Sequence, residues 1–139
     1  WERESGDVIL LKSTTYMNAS GEALERFPGL DPARLIVICD DLSLPLGMLR
    51  IREQGGSGGH LGLESVIMSI ETEAFARLRL GIGSPPPTID WSEFVLMPFL
   101  LEERPDVERM LTTAADALEM VISEGIDQAM QEYNRKADV

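Results

Sequence analysis

The sequence predicts an α/β fold: a single domain with a mixed, mostly parallel β-sheet flanked by helices, and a helical C-terminal part. Three observations predict it. Short runs rich in Val, Ile and Leu alternate with segments whose apolar residues recur at helical spacing. The run 35–39 (Leu-Ile-Val-Ile-Cys) is apolar throughout, the pattern of a strand covered on both faces. The last third carries a long amphipathic stripe. A chain of 139 residues fits one domain, 1–139, and can bury roughly two thirds of its unfolded surface.

Taken in order, residues 8–12 (Val-Ile-Leu-Leu-Lys) predict a buried strand. Residues 13–18 are polar and turn-like. Asn18 or Ser20 stands where it can cap a short helix over 19–27, with Leu24 and Phe27 on one face and Pro28-Gly29 as its stop. Asp31-Pro32 opens a turn before the strand 35–39. Asp40 and Asp41 follow at that strand's C-terminal end, where open α/β sheets place ligands. Pro45 and Gly47 mark a turn, and 48–52 is another strand whose alternation sends Arg50 and Arg52 to one face. The glycines of 55–59 exclude regular structure there. Leu63, Val66, Ile67 and Ile70 then form a helical stripe over 60–70. Residues 77–83 alternate again, with Leu78, Leu80 and Ile82 on one face and Arg77 and Arg79 on the other. Pro85, Pro86 and Pro87 break this strand, and 93–97 reads as a last short strand or extended segment. Val107, Met110, Leu111, Ala114, Leu118, Val121 and Ile122 mark a long helix, which Gly125 interrupts. Ile126, Ala129, Met130 and Tyr133 mark a second one, ending on Arg135 and Lys136, cations suited to the negative end of a helix dipole.

Composition narrows the classes of function. Hydrophobic residues make up 44% and charged residues 26%, which excludes wholesale disorder. The longest apolar stretches, 35–39 and 95–97 continued by 99–101, are too short to span a bilayer, and no basic-then-apolar segment opens the chain. The expectation is a cytoplasmic protein with no membrane partner. Cys39 is the one cysteine, so no disulfide can form within the chain. With His60 the one histidine, no Cys/His zinc site is expected, and no cofactor. The net charge of −12 and a pI near 4.4 argue against a broad nucleic-acid face. The acidity is uneven, however. Residues 1–83 hold 8 Lys and Arg against 12 Asp and Glu, whereas 84–139 hold 4 against 12. A basic strip can survive in the first part, because a phosphate senses the field within a Debye length, about 8–10 Å. The chain opens with Trp1 rather than Met, which predicts a processed start or a piece of something longer.

Several constellations could carry chemistry. The glycine loop 55–59 ahead of a helix could bring backbone N–H groups to an anion, or merely connect two elements. Its spacing fits neither a dinucleotide fingerprint nor a Walker A loop. Asp40-Asp41 could hold a metal, orient a histidine or act as a base, or could cap a solvated loop. The pairs Arg50/Arg52 and Arg77/Arg79 offer forks that match phosphate oxygens, or form a solvent face. His60 opens a helix, whose positive end disfavours imidazolium, so positioning suits it better than strong base chemistry. Ser57, His60 and Asp40 would compose a triad on paper, but no nucleophile elbow surrounds Ser57. Cys39 is expected to be an inert buried thiol.

Four segments stand in a recognisable order. They are 12–21 (Lys-Ser-Thr-Thr-Tyr-Met-Asn-Ala-Ser-Gly), 39–47 (Cys-Asp-Asp-Leu-Ser-Leu-Pro-Leu-Gly), 55–63 (Gly-Gly-Ser-Gly-Gly-His-Leu-Gly-Leu) and 77–83 (Arg-Leu-Arg-Leu-Gly-Ile-Gly). With them the chain resembles, over nearly its whole length, the bacterial peptidyl-tRNA hydrolase family. That family hydrolyses the ester between a peptide and the 3′ end of tRNA, using a water activated by a His/Asp pair. The resemblance implies a monomer whose partner is peptidyl-tRNA, contacted at its 3′ end and near its 5′ phosphate. It implies that Asn18 helps hold the 3′ nucleotide and the attacking water, and that Tyr16 lines the same pocket. It implies that Asp40 orients and polarises the catalytic histidine, and that Arg52 and Arg79 lie near the 5′ phosphate. His60 matches the family's second histidine, at the substrate.

The departures are specific. Leu61 stands where the family has an Asn that touches water and substrate. One lost positioned hydrogen bond costs about 1–3 kcal/mol, roughly tenfold to a hundredfold in rate. Cys39 replaces a usual His. The family's catalytic histidine lies in an N-terminal segment, with a Gly-Asn-Pro turn and a first strand, upstream of the residue matching Trp1. The resemblance therefore implies an N-terminally truncated piece, inactive by itself, of an ordinary hydrolase. The alternative is a catalytically inactive relative acting as an RNA- or protein-binding scaffold, which Leu61 and the low pI favour. A general phosphate- or nucleotide-binding domain rests on the glycine loop alone.

Overall fold

The computed structural model describes residues 2, 3 and 6–134, with the backbone alone up to residue 7. Trp1, Arg135 and Lys136 lie outside the described residues. Strands β1 (Glu2–Arg3) and β2 (Gly6–Asp7) pair antiparallel. A 3-10 helix (Met17–Arg26), a shorter one (Pro32–Arg34), β3 (Ile36–Asp41) and β4 (Leu49–Arg52) follow. Then come α1 (Leu61–Ile70), β5 (Ala76–Gly81), α2 (Trp91–Phe94), a 3-10 turn (Leu101–Glu103), α3 (Arg104–Glu124) and α4 (Ile126–Tyr133). This is the expected α/β fold with a helical C-terminal part. No helix among the described residues is long and apolar enough to cross a membrane.

The main sheet has the order β3-β5-β4. The Ala76 N–H donates to the Leu35 carbonyl at 3.2 Å and the Ile82 N–H to the Asp41 carbonyl at 3.1 Å. Both numbers rise together along the two strands, so β3 and β5 run parallel. β4 pairs antiparallel with β5, which makes the sheet mixed. Residues directly opposite in this pairing share a face. Leu49 with Leu80, and Ile51 with Leu78, form an apolar face; Arg50 with Arg79, and Arg52 with Arg77, form the other.

The chain divides into two compact units. The first comprises Trp1–Val37 and Glu53–Ala76. Its core holds Leu63, Val66 and Phe75, and the 3-10 helix 17–26 packs on α1. The second comprises Ile38–Arg52 and Arg77–Val139. Its core holds Leu49, Ile51 and Leu78 from the sheet, Met110, Ala114 and Ala117 from α3, and Ala129 from α4. α4 packs on both α3 and β4. Gly125, at φ +96° and ψ 163°, takes a conformation that a Cβ would forbid, so α4 restarts at once after α3. The outer side of β4 is closed by a side chain. Asn134 Oδ1 accepts from the Ile51 N–H at 2.9 Å, and Asn134 Nδ2 donates to the Ile51 carbonyl at 3.0 Å. The amide thus supplies the two bonds that a neighbouring strand would.

Several expectations from sequence fail, each for a local reason. Residues 8–12 are not a buried strand: they have no ladder partner among the described strands, and Leu10 is 76% exposed. The helix expected over 19–27 begins at Met17, is of 3-10 type and kinks at Ala19. Its N-cap is Tyr16, not Asn18 or Ser20; the Ser20 hydroxyl donates instead to the Met17 carbonyl inside the helix, at 2.7 Å. Asp40 and Asp41 belong to β3 rather than following it, because the Asp41 carbonyl still accepts a ladder bond. The same strand is not covered on both faces, since Ile38 is 50% exposed. Residues 93–97 are not extended: the Glu93 and Phe94 N–H groups both donate to the Asp90 carbonyl and close the turn of α2. On α3, Leu111 is exposed and Ala117 completes the buried stripe in its place.

Replacing Asn134 by Ala leaves the N–H of the buried Ile51 unpaired. Asn134→Ala is expected to cost about 1–3 kcal/mol. Urea titration should show a lower midpoint at unchanged slope. An unchanged midpoint would mean that water serves this edge equally well.

Candidate functional site

In the first unit, the approach of two helices shapes the site. The Gly21 N–H donates to Ser65 Oγ on α1 at 2.9 Å. A Cβ on Gly21 would stand 2.3 Å from the Ser65 carbonyl oxygen and 2.2 Å from Ser69 Oγ. Only a residue without a side chain permits this spacing. Beside the contact lies a cavity of about 320 Å³. Asn18, Ala19 and Glu22 line it from the 3-10 helix. Leu61, Glu64, Ser65 and Met68 line it from α1, and their spacing of three and four residues is one helix face.

His60 sits at the head of that face as the N-cap of α1. Its Nδ1 accepts from the Leu63 N–H at 3.2 Å, which fixes the ring at the start of the helix. The glycine loop is held by side chains as well as backbone. Ser57 Oγ accepts from the Gly59 N–H at 3.2 Å and donates to Glu64 Oε1 at 3.3 Å. Tyr16 precedes Asn18 on the chain, but its side chain is 88% exposed and is not part of the cavity lining.

In the second unit, neighbouring carboxylates take different positions. Asp40 and Asp41 are adjacent on β3 and therefore face opposite sides of it. Asp41 Oδ1 accepts from the Ser43 N–H at 2.8 Å and from the Ser43 hydroxyl at 2.6 Å. Its Oδ2 lies 3.7 Å from Arg79 Nη1. Asp41 thus closes the turn after β3 and anchors an arginine, while the half-buried Asp40 points the other way. The arginine face is not a uniform solvent face. Arg77 is fully buried, the Arg79 side chain is 24% exposed, and Arg52 is exposed. Cross-strand like charges repel, and Asp41 offsets part of that cost at Arg79. Burial pushes the Cys39 thiol up to about 11; Arg79 pulls it down, and Asp40 and Asp41 push it further up. Cys39 is half-buried rather than buried, and its raised pKa disfavours the reactive thiolate.

The structure brings Asn18 and Leu61 to one cavity, with His60 capping the helix that carries Leu61. It ties Arg79 to Asp41 and sets Arg52 opposite Arg77. Sequence reasoning missed Glu22, Glu64 and Met68. The signal was present for the last two, since 61, 64, 65 and 68 recur at helical spacing opposite the apolar stripe. Among the described residues, no group of three or more His, Cys, Asp or Glu is arranged to hold a metal ion.

Comparison with known proteins identifies a family. A family profile described as "Peptidyl-tRNA hydrolase" matches residues 1–139. A curated relative named peptidyl-tRNA hydrolase from Thermodesulfovibrio yellowstonii is 41% identical over 140 residues, covering 97% of this chain and 74% of its own length. One from Chloroflexus aggregans is 47% identical over 131 residues, covering 91% and 70%. The crystal structure of peptidyl-tRNA hydrolase from Acinetobacter baumannii superposes with a TM-score of 0.77 at 30% identity, covering 86% of this chain. The chain spans 62% of that solved chain's length.

Gly21→Ala forces its methyl against a backbone carbonyl that cannot swing away. It is expected to lower stability by about 1–3 kcal/mol, read as a drop in Tm; an unchanged Tm would show the two helices free to separate. The Cys39 thiol titrates near 11 when folded against 9.0 as a free group. Its contribution to stability is whole below pH 9 and is lost as pH rises toward 11. At pH 8, iodoacetamide should alkylate Cys39 on the order of a hundredfold more slowly in the folded protein than in the urea-unfolded chain. Equal rates would place the thiol in solvent.

Proposed function

We infer, because this chain belongs to the peptidyl-tRNA hydrolase family, that the protein carrying it hydrolyses the ester between a peptide and the 3′ end of tRNA. The observation that supports this most is the cavity between the 3-10 helix and α1, walled by Asn18, in a chain matched to that family along its whole length. An amide offers both a donor and an acceptor, so Asn18 can hold the ester and the attacking water together. Asp40, a half-buried carboxylate, orients the histidine base that activates this water. Tyr16, with its ring open, takes the terminal base by stacking. Arg52 and Arg79 meet phosphate near the 5′ end, with Arg79 held ready by Asp41. His60 fixes the first turn of α1 and through it the place of Leu61. Leu61 presents hydrocarbon where the family carries an amide, so turnover is reduced rather than lost. The protein acts as a monomer in the cytoplasm.

The test uses the full-length protein and peptidyl-tRNA. Asp40→Asn should lower kcat on the order of 10²–10⁴-fold while leaving the Kd for tRNA within about twofold. Arg79→Ala should weaken tRNA binding and reduce the slope of log K against log salt by about one. Retained turnover in the Asp40 variant would remove its role. An unchanged salt slope would confine Arg79 to its bond with Asp41. Binding without hydrolysis in the parent would replace the enzyme reading by the scaffold reading.

A further inference from the structure

Beyond Asn18 the cavity is lined by Leu61 and Met68, by Ser65 and Ser69, and by two carboxylates, Glu22 from the 3-10 helix and Glu64 from α1. Glu64 accepts one hydrogen bond, from Ser57. No Lys or Arg lines the cavity. An ester of peptidyl-tRNA has two sides, a nucleotide side and a peptide side. The nucleotide side carries phosphate, which two carboxylates repel. The peptide side carries none. The charge of the lining therefore favours the peptide here. A lining in which Leu61 and Met68 stand together with two carboxylates suits a side chain with an alkyl stem and a cationic head, in which the stem covers Leu61 and Met68 and the head meets the carboxylates. A volume of about 320 Å³ is at the small end of ligand pockets and suits one or two residues rather than a long peptide.

We propose that Glu22 and Glu64 are specificity-determining residues, which make this protein favour peptidyl-tRNA bearing lysine or arginine at the residue next to the ester. The proposal rests on the peptidyl-tRNA reading above. Solvent-exposed pairs of this kind are modest, so the preference is a factor of about three to ten, and salt weakens it.

The experiment uses the full-length protein and two RNA acceptor-stem probes. Each carries an N-acetylated amino acid through a 3′ amide that cannot be hydrolysed. One bears lysine and the other norleucine, which keeps most of the stem and removes the charge. Fluorescence anisotropy should give a Kd about three to ten times lower for the lysyl probe at low salt. The ratio of the two Kd values should fall toward one in the Glu22→Gln/Glu64→Gln double variant, even where loss of the two charges tightens binding of both RNA probes alike, and partway in each single variant. Glu108→Gln, an exposed acid on α3, should leave the ratio intact and so separates a local effect from the overall charge of −12. A ratio of one in the parent, or a ratio that survives the double variant, overturns the proposal. Equal binding of both probes leaves the peptidyl-tRNA reading standing, whereas failure to bind either overturns that reading and the preference with it.

Discussion

The contact between Gly21 and the Ser65–Ser69 turn of α1 is the constraint on which the first unit depends. With a donated N–H at 2.9 Å and no room for a Cβ, it holds the two helices at a spacing that no other residue type would allow. The spacing sets which side chains face each other. Asn18 and Glu22 come from one helix, and Leu61, Glu64 and Met68 from the other, and the gap between them becomes a cavity. The His60 cap serves the same end, because it fixes the first turn of α1, where Leu61 sits. A 3-10 helix of ten residues is long for its type, and its kink at Ala19 divides it into two short pieces. Packing on α1, not local preference, is what sustains it.

Charge is organised differently in each unit. In the second, cross-strand pairing sets Arg50 against Arg79 and Arg52 against Arg77. Such pairs are unfavourable by themselves, and Asp41 relieves one of them while also tying down the turn after β3. Strand alternation thus gathers four arginines on one sheet face of a chain of net charge −12, with Arg77 enclosed and Arg52 exposed, and the excess acid lies mainly beyond residue 83. In the first unit the local sign is reversed, with carboxylates on the cavity wall.

Much of the fold was legible in the chain. The strands around 36–41, 49–52 and 76–81 and the helices around 61–70, 104–124 and 126–133 follow from periodicities of two and 3.6 that depend on neighbouring residues alone. The motif order around Asn18, Asp40, His60 and Arg79 was legible for the same reason: it is a property of the sequence. The failures share a cause. Residues 8–12 have the composition of a strand, but a strand exists only where a partner supplies the ladder, and none among the described strands does. The segment 93–97 is apolar enough for a strand, yet two bonds to the Asp90 carbonyl win locally.

By itself, then, the sequence determined the α/β class, the principal strands and helices and the family resemblance, because those depend on local spacing and residue type. The tertiary structure alone decided which carboxylate meets Arg79 and which arginine is buried. Asp40 and Asp41 are indistinguishable as letters, and so are Arg77 and Arg79. Only the pairing of β3, β5 and β4 sends Asp41 to Arg79, and only the folded chain encloses Arg77. The cavity was likewise invisible, since its walls come from helices some forty residues apart in the chain, brought together at a glycine too small to keep them apart.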